Sequence, residues 1–260
     1  MLGQIRVRIV QGFERLGFRI ERLRPRPIWP GDQTRMAYQE RYVTFPIAAG
    51  DRVLDVGSGG YPFPLATVHM DGYPGFTRTR YEPLAAVEKP FVIGDVHNLP
   101  FRDQSFEFVY ASHLLQSVQD PLAACAEMMR VGKAGYLEIP TFGKSTLFSW
   151  GKGLMKWYAV GIHHHLCFFE YTDRELEGIR SPVWHDLIMS RWYEPLQAAF
   201  YDNQDIFNTM FSWTGSFSVT VFGRDGSVRT LNATAGLNPH ARDAVDSDRL
   251  AELTVKVHGS

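Results

Sequence analysis

Residues 53–60, Val-Leu-Asp-Val-Gly-Ser-Gly-Gly, constrain this chain more than any other stretch. Val53 to Val56 is an apolar run too short for a helix, and glycines follow at 57, 59 and 60. Such a run reads as a buried strand feeding a tight loop. Glycine lets the backbone turn sharply and approach a ligand, because no Cβ stands in the way. Asp55 is an acid inside the apolar strand. A carboxylate so placed must be hydrogen-bonded or hold something charged, since burying it alone is costly.

Four more strands are predicted downstream. Ala66–Met70 places Asp71 at its carboxyl end, Phe91–Asp95 again ends on an acid, and Phe106–Ser112 and Gly135–Pro140 follow. Asp120-Pro121 has the form of a helix start, an N-cap followed by proline at the first helical position, and Gly132 ends that helix. Strands alternating with helices or short crossovers predict an α/β domain on a mostly parallel sheet. In such sheets ligands sit beyond the carboxyl ends of the strands. Gly57, Asp71, Asp95, Ser112, His113 and Thr141 all fall at those ends, so residues far apart in sequence are expected to share one crevice.

The remaining chain divides into an N-terminal part at 1–32, a main domain at 33–223 and a polar tail at 224–260. Leu2, Ile5, Ile9, Phe13 and Leu16 recur at helical spacing among seven arginines of residues 1–26, which predicts a basic amphipathic helix. That helix either packs on the domain or touches an anionic membrane surface or acidic glycan. Residues 143–206 are rich in aromatics and predict a helical insertion over the strand ends, and 208–222 predicts a β-hairpin. Lysine plus arginine number 27 against 28 acids, a balance that removes support for nucleic-acid binding. Cys125 and Cys167 lack the spacing of a zinc or redox pair and predict reduced thiols in the cytoplasm. No apolar run approaches the ~18 residues of a membrane span.

The order of these motifs resembles the class I methyltransferases that use S-adenosylmethionine, in particular the type 11-like group. Asp55-Val-Gly57-Ser-Gly59 is similar to their glycine-rich motif, and Gly94-Asp95 through Phe106-Glu-Phe-Val109 is similar to the next two. Ser112-His113, Asp120-Pro121, Glu127-Met-Met-Arg130 and Gly135-Tyr-Leu-Glu-Ile139 complete the set. The resemblance implies a Rossmann-like fold whose last strand is antiparallel, and S-adenosylmethionine as cofactor. It implies that Gly57, Ser58 and Gly59 pass under the methionine part and that Asp55 helps hold the amino group. Asp71 would accept from the ribose hydroxyls, with Glu82 a rival because the helix after the glycine turn is shortened. Asp95 would face the adenine amine with Val96 offering its backbone N–H, and Ser112 and His113 would lie beneath the sulfonium. Gln116-Ser117 replaces a Glu-His pair frequent in the family. Position 62 is proline, where a nicotinamide-binding Rossmann turn needs its third glycine. No Asn-Pro-Pro-aromatic motif follows the fourth strand, which argues against methylation of DNA bases.

The implied reaction transfers the methyl group to a hydroxyl of a small molecule or sugar; the resemblance extends to methyltransferases of bacterial polysaccharide and natural-product pathways. An inactive partner subunit and an RNA or protein methyltransferase are the alternatives. A weak nucleophile needs a base, and histidine titrates in the right range. His113 is one candidate, although it also suits plain packing under the cofactor. His164, within the triplet 163–165, is the other, facing the substrate. Zinc-like spacing is absent around the triplet, so no metal is expected.

Overall fold

The computed structural model describes residue 16 and residues 38–73, 88–148, 155–179 and 203–233. Apart from residue 16, the N-terminal helix and connector expected at 1–32 lie outside the described residues, as do Glu82 and the tail beyond 233. The first strand, β1 (Val53–Val56), is buried along its whole length. It is flanked by β2 (Val68–Asp71) and β4 (Phe106–Ser112), both parallel to it. Strands β3 (Phe91–Ile93) and β5 (Gly132–Pro140) extend the sheet on either side. The full order is β3-β2-β1-β4-β5-β8, with β8 (Asn208–Thr214) antiparallel to β5. The expected α/β architecture, with an antiparallel last strand in this sheet, is therefore present. The chain's direction of travel reverses between β1 and β4, the point at which such sheets bind ligands.

Alternating side chains of the strands feed two cores, as the period of two requires. Leu54, Val56, Val109 and Leu137 pack against helix α1 (Pro121–Val131) on one face. Val53, Phe108, Tyr110 and Tyr136 pack on the other face against Val43, Phe45, Ile47 and Phe63. No helix separates β1 from β2; residues 57–67 are a loop. Its interior is apolar, with Phe63 stacked on Tyr110 at 4.0 Å between ring centres, and Phe45 meets Phe63 edge-on at 5.3 Å. This loop and residues 43–47 cover the sheet face that a crossover helix would otherwise cover.

Helix α1 starts where the sequence predicts. The Asp120 carboxylate accepts from the backbone N–H groups of Leu122 and Ala123, and Pro121 occupies the first turn. Arg130, in its last turn, pairs with Glu127 and donates to the carbonyls of Leu99 and Phe101. The motif Glu127-Met-Met-Arg130 thus fastens the loop after β3 to the helix.

Three expectations are corrected. The insertion is not purely helical: between α2 (Phe142–Phe148) and α3 (Asp173–Ile179) lie β6 (Trp157–Ile162) and β7 (His165–Glu170), an antiparallel pair. Residues 208–222 do not form a hairpin. After the short helix α4 (Gln204–Phe207), β8 joins the main sheet, while β9 (Ser218–Phe222) pairs in parallel with β7 in a second sheet. The tail begins later than expected, because β10 (Val228–Leu231) pairs with β9. The second sheet, β10-β9-β7-β6, shares a core with α1 through Leu166, Phe168, Val219 and Val221, joined by Phe217 just before β9. No described helix is long and apolar enough to cross a membrane.

Candidate active site

The glycine turn is clamped to the tip of β2. Gly57 (φ 75°) donates to the Met70 carbonyl at 2.8 Å, and Ser58 donates to the same oxygen at 3.1 Å. Gly59 (φ 55°) donates its N–H to Asp71 Oδ2 at 3.0 Å, while Asp71 Oδ1 accepts from Tyr73 N–H. Both glycines hold a left-handed backbone that side chains resist. A Cβ at Gly57 would also press on Leu114 at 2.9 Å. Asp71 therefore stands half-exposed at the crevice edge, bound to the turn itself.

At the neighbouring tip, Asp95 Oδ1 accepts from the backbone N–H of His97 at 2.9 Å and lies 2.6 Å from His97 Nδ1. These contacts, the backbone bond first, hold the Asp95 carboxyl below its ordinary range. His97 Nε2 in turn accepts from the Asp120 N–H at 3.2 Å, so the proton of a neutral His97 belongs on Nδ1, pointing at Asp95. Val96 is buried beside it.

Asp55 lies beneath the glycine turn. Its carboxylate is 2% exposed and accepts from Phe63 N–H at 2.7 Å, with His69 Nδ1 at 3.2 Å. It anchors the 57–67 loop through the Phe63 N–H.

On the other side of β1 lies a buried polar cluster. His113, just past β4, holds a left-handed backbone (φ 56°), uncommon for a residue with a side chain. Its N–H donates to the Glu138 carbonyl, and its own carbonyl accepts from Gln116 Nε2 at 2.7 Å. The Gln116 that departs from the family pattern thus holds the histidine's backbone. His113 Nε2 lies 3.0 Å from Glu138 Oε1. Glu138 is 1% exposed, and five side chains donate to it. Tyr38 (2.6 Å), His113 and Ser112 (3.3 Å) reach Oε1; Gln39 (2.8 Å) and Tyr136 (2.6 Å) reach Oε2. Burial by itself would raise the Glu138 pKa. The His113 bond and charge, the Lys144 charge and the Tyr136 hydroxyl outweigh it and hold the group well below the carboxylate range. Burial, with Glu138 beside it, pushes the Tyr136 phenol well up, so it remains a donor.

Lys144, on α2 and 2% exposed, donates to Asn208 Oδ1 at 2.7 Å and stands 3.4 Å from His113 Nε2. Asn208 is held by Gln204, whose side-chain oxygen accepts from Asn208 Nδ2 at 2.8 Å. Nε2 is closer to an anion than to the ammonium, so the network assigns its hydrogen to Glu138, and Nδ1 is buried.

The structure brings Gly57, Ser58, Gly59, Asp71, Asp95, Val96, Ser112 and His113 to one edge of the sheet. It does not bring His164 there. His164 lies in the exposed β6–β7 turn, and its carbonyl accepts from Ser218 N–H. Ser218 follows a turn whose Gly215 N–H donates to Lys133, at the opposite end of β5 from Glu138. At about 3.3 Å per residue that end is roughly 15–20 Å from the tips. The adjacent His165 is engaged with Thr220 at 2.8 Å. Among the described residues no group of His, Cys, Asp or Glu is arranged to hold a metal ion. Sequence reasoning passed over Glu138, Lys144, Tyr38 and Gln39. The argument applied to Asp55, an acid in an apolar strand, applies equally to Glu138 in Tyr-Leu-Glu-Ile and would have found it.

Residues 54–137 match the family described as a methyltransferase domain. This stretch is a class I, S-adenosylmethionine-dependent methyltransferase domain. The malonyl-[acyl-carrier protein] O-methyltransferase of Halorhodospira halophila is 33% identical over 148 residues, which are 51% of this chain and 49% of that protein. The demethylmenaquinone methyltransferase of Renibacterium salmoninarum is 36% identical over 107 residues, covering 36% and 44%. The chain thus spans about half the length of these relatives. An S-adenosylmethionine-dependent methyltransferase of Mesorhizobium loti aligns in structure over 55% of this chain and 65% of its own, at 15% identity and a TM-score of 0.35. The residues of the methyltransferase domain fit the cofactor. Two acceptor-only carboxylates, Asp71 and Asp95, stand at adjacent tips on one side of the glycine turn, which suits a ligand whose diol and amine are donors.

Proposed function

We propose that this chain methylates a hydroxyl oxygen of a small molecule or sugar, with His113 as the general base. The observation that carries this reading is the His113–Glu138 pair at 3.0 Å beneath the strand tips. When bound, S-adenosylmethionine supplies a methyl group already activated by its sulfonium. The glycine turn would receive the methionine end, Asp71 the ribose hydroxyls, and Asp95 with the Val96 N–H the adenine. His113 would take the proton released as the acceptor's O–H bond breaks. Glu138, ionised and unable to reorient among its donors, holds the imidazole in one tautomer and stabilises the imidazolium that forms, the logic of a base with an orienting carboxylate. One relative is named for methylation at oxygen, which supports an oxygen acceptor.

The test is a panel of hydroxylated acceptors with labelled S-adenosylmethionine. His113→Gln is expected to lower turnover by about 10²–10⁴-fold, the contribution typical of a positioned base. Cofactor affinity by calorimetry should change little. Turnover equal to the parent's would remove His113 from the chemistry.

A further inference from the structure

Glu138 collects more donors than a carboxylate comfortably accepts. Two oxygens offer about four lone-pair sites, and five side chains point at them. Two of the five, Tyr38 and Gln39, come from residues upstream of the matched stretch 54–137. Their placement is built, not incidental. Gln39 is fully buried, and Tyr110 donates its hydroxyl to Gln39 Oε1 at 3.0 Å, which turns the amide's Nε2 toward Glu138. Residues 38–42 are helical, and Val43, Phe45 and Ile47 just beyond pack on the sheet face beneath. Tyr38 donates to Oε1, the oxygen that also faces His113, and at 2.6 Å its bond is shorter than the histidine's 3.0 Å.

We propose that Tyr38 is a positioning residue for His113: the docked segment 38–47 shares out the Glu138 charge and so sets how strongly that carboxylate grips the base. The working site then includes chain that precedes the matched stretch 54–137. This inference rests on the reading of His113 as the base. Among the described residues, charged and titratable groups that face His113 include Glu138 from β5 and Lys144 from α2, with the phenols of Tyr38 and Tyr136 reaching it through Glu138. Removing the Tyr38 hydroxyl takes a donor from Oε1, leaves more of the anion to His113 and favours the imidazolium.

The experiment is an NMR titration of ring-labelled histidines in the full chain, with the His113 signal identified by its loss in His113→Gln. Tyr38→Phe is expected to raise the His113 midpoint by about half a pH unit or more, because a hydrogen bond to the neighbouring carboxylate weakens its hold on the imidazolium. Tyr73→Phe, beside Asp71 at the tip of β2, should leave it in place. Binding of S-adenosylhomocysteine within about twofold of the parent's shows that Tyr38→Phe is folded, since uniform binding losses would mark a merely structural role. An unmoved midpoint in a folded Tyr38→Phe overturns the inference and leaves the base reading standing. Full turnover by His113→Gln overturns the base reading instead, whatever the midpoint does.

Discussion

A buried carboxylate survives only when its lone pairs are filled, and Glu138 fills them with groups from three separate parts of the chain. Glu138→Gln removes the charge and offers an amide NH₂ to donors that need an acceptor. We expect a loss of about 2–4 kcal/mol, the range for breaking a buried charged network, read as a melting-temperature drop of roughly 5–15 °C. The sign with pH follows from the lowered pKa of the folded state. The stabilisation is complete above the unfolded value near 4.5 and is lost as pH falls below it, toward the lower folded value. Urea midpoints at pH 7, 4.5 and 3 should therefore converge for Glu138→Gln and the parent chain. Parallel curves across that window would show that the carboxylate is not ionised in the fold.

Helix α1 and the loop before it act as one element. Asp120 caps the helix, offers its N–H to His97 and pairs with Arg229 of β10 at 2.8 Å. Burial would raise its pKa, and the Arg229 bond and the cap N–H groups bring it below the ordinary range. Asp120→Ala removes the cap and the ion pair together, and is expected to cost about 1–2 kcal/mol, mostly from the cap. Arg229→Gln breaks only a half-exposed pair and should cost under about 1 kcal/mol. Chemical denaturation of both variants separates the two terms; equal losses would assign the stabilisation to the ion pair. The cap was legible because Asp-Pro is a local signal. The bond from Asp120 to His97 was not, since it depends on where a loop 23 residues away returns.

At the scale of the molecule, two sheets share one core, and the six-stranded sheet is tightly packed where β5 lies between β4 and β8. A Cβ on Gly135 would collide with the Val109 carbonyl and lie 2.8 Å from the Trp213 indole of β8. Backbone on one side and a ring packed against Phe217 on the other cannot yield. Gly135→Ala is expected to cost about 3 kcal/mol or more, the upper end for overpacked cores, seen as a lower urea midpoint with an unchanged slope. A loss under about 0.5 kcal/mol would mean that the packing at Gly135 is loose.

Taken alone, the sequence determined the central sheet. Strands buried on both faces are continuous apolar runs, as β1 and much of β4 are, and glycines, acids and a proline-led helix mark their ends. It determined as well which residues reach the strand tips from β1, β2, β3 and β4, because parallel order leaves no choice of end. Only the tertiary structure decided the rest. Two strands joined by a short turn look like a hairpin locally, but β5 offered β8 an edge and β7 offered β9 another. The same choice of partners carried His164 to the far end of the sheet and brought Tyr38, Gln39 and Lys144 around Glu138 and His113. Which lone pair a distant donor fills is settled by packing across the fold, and no local pattern of residues encodes it.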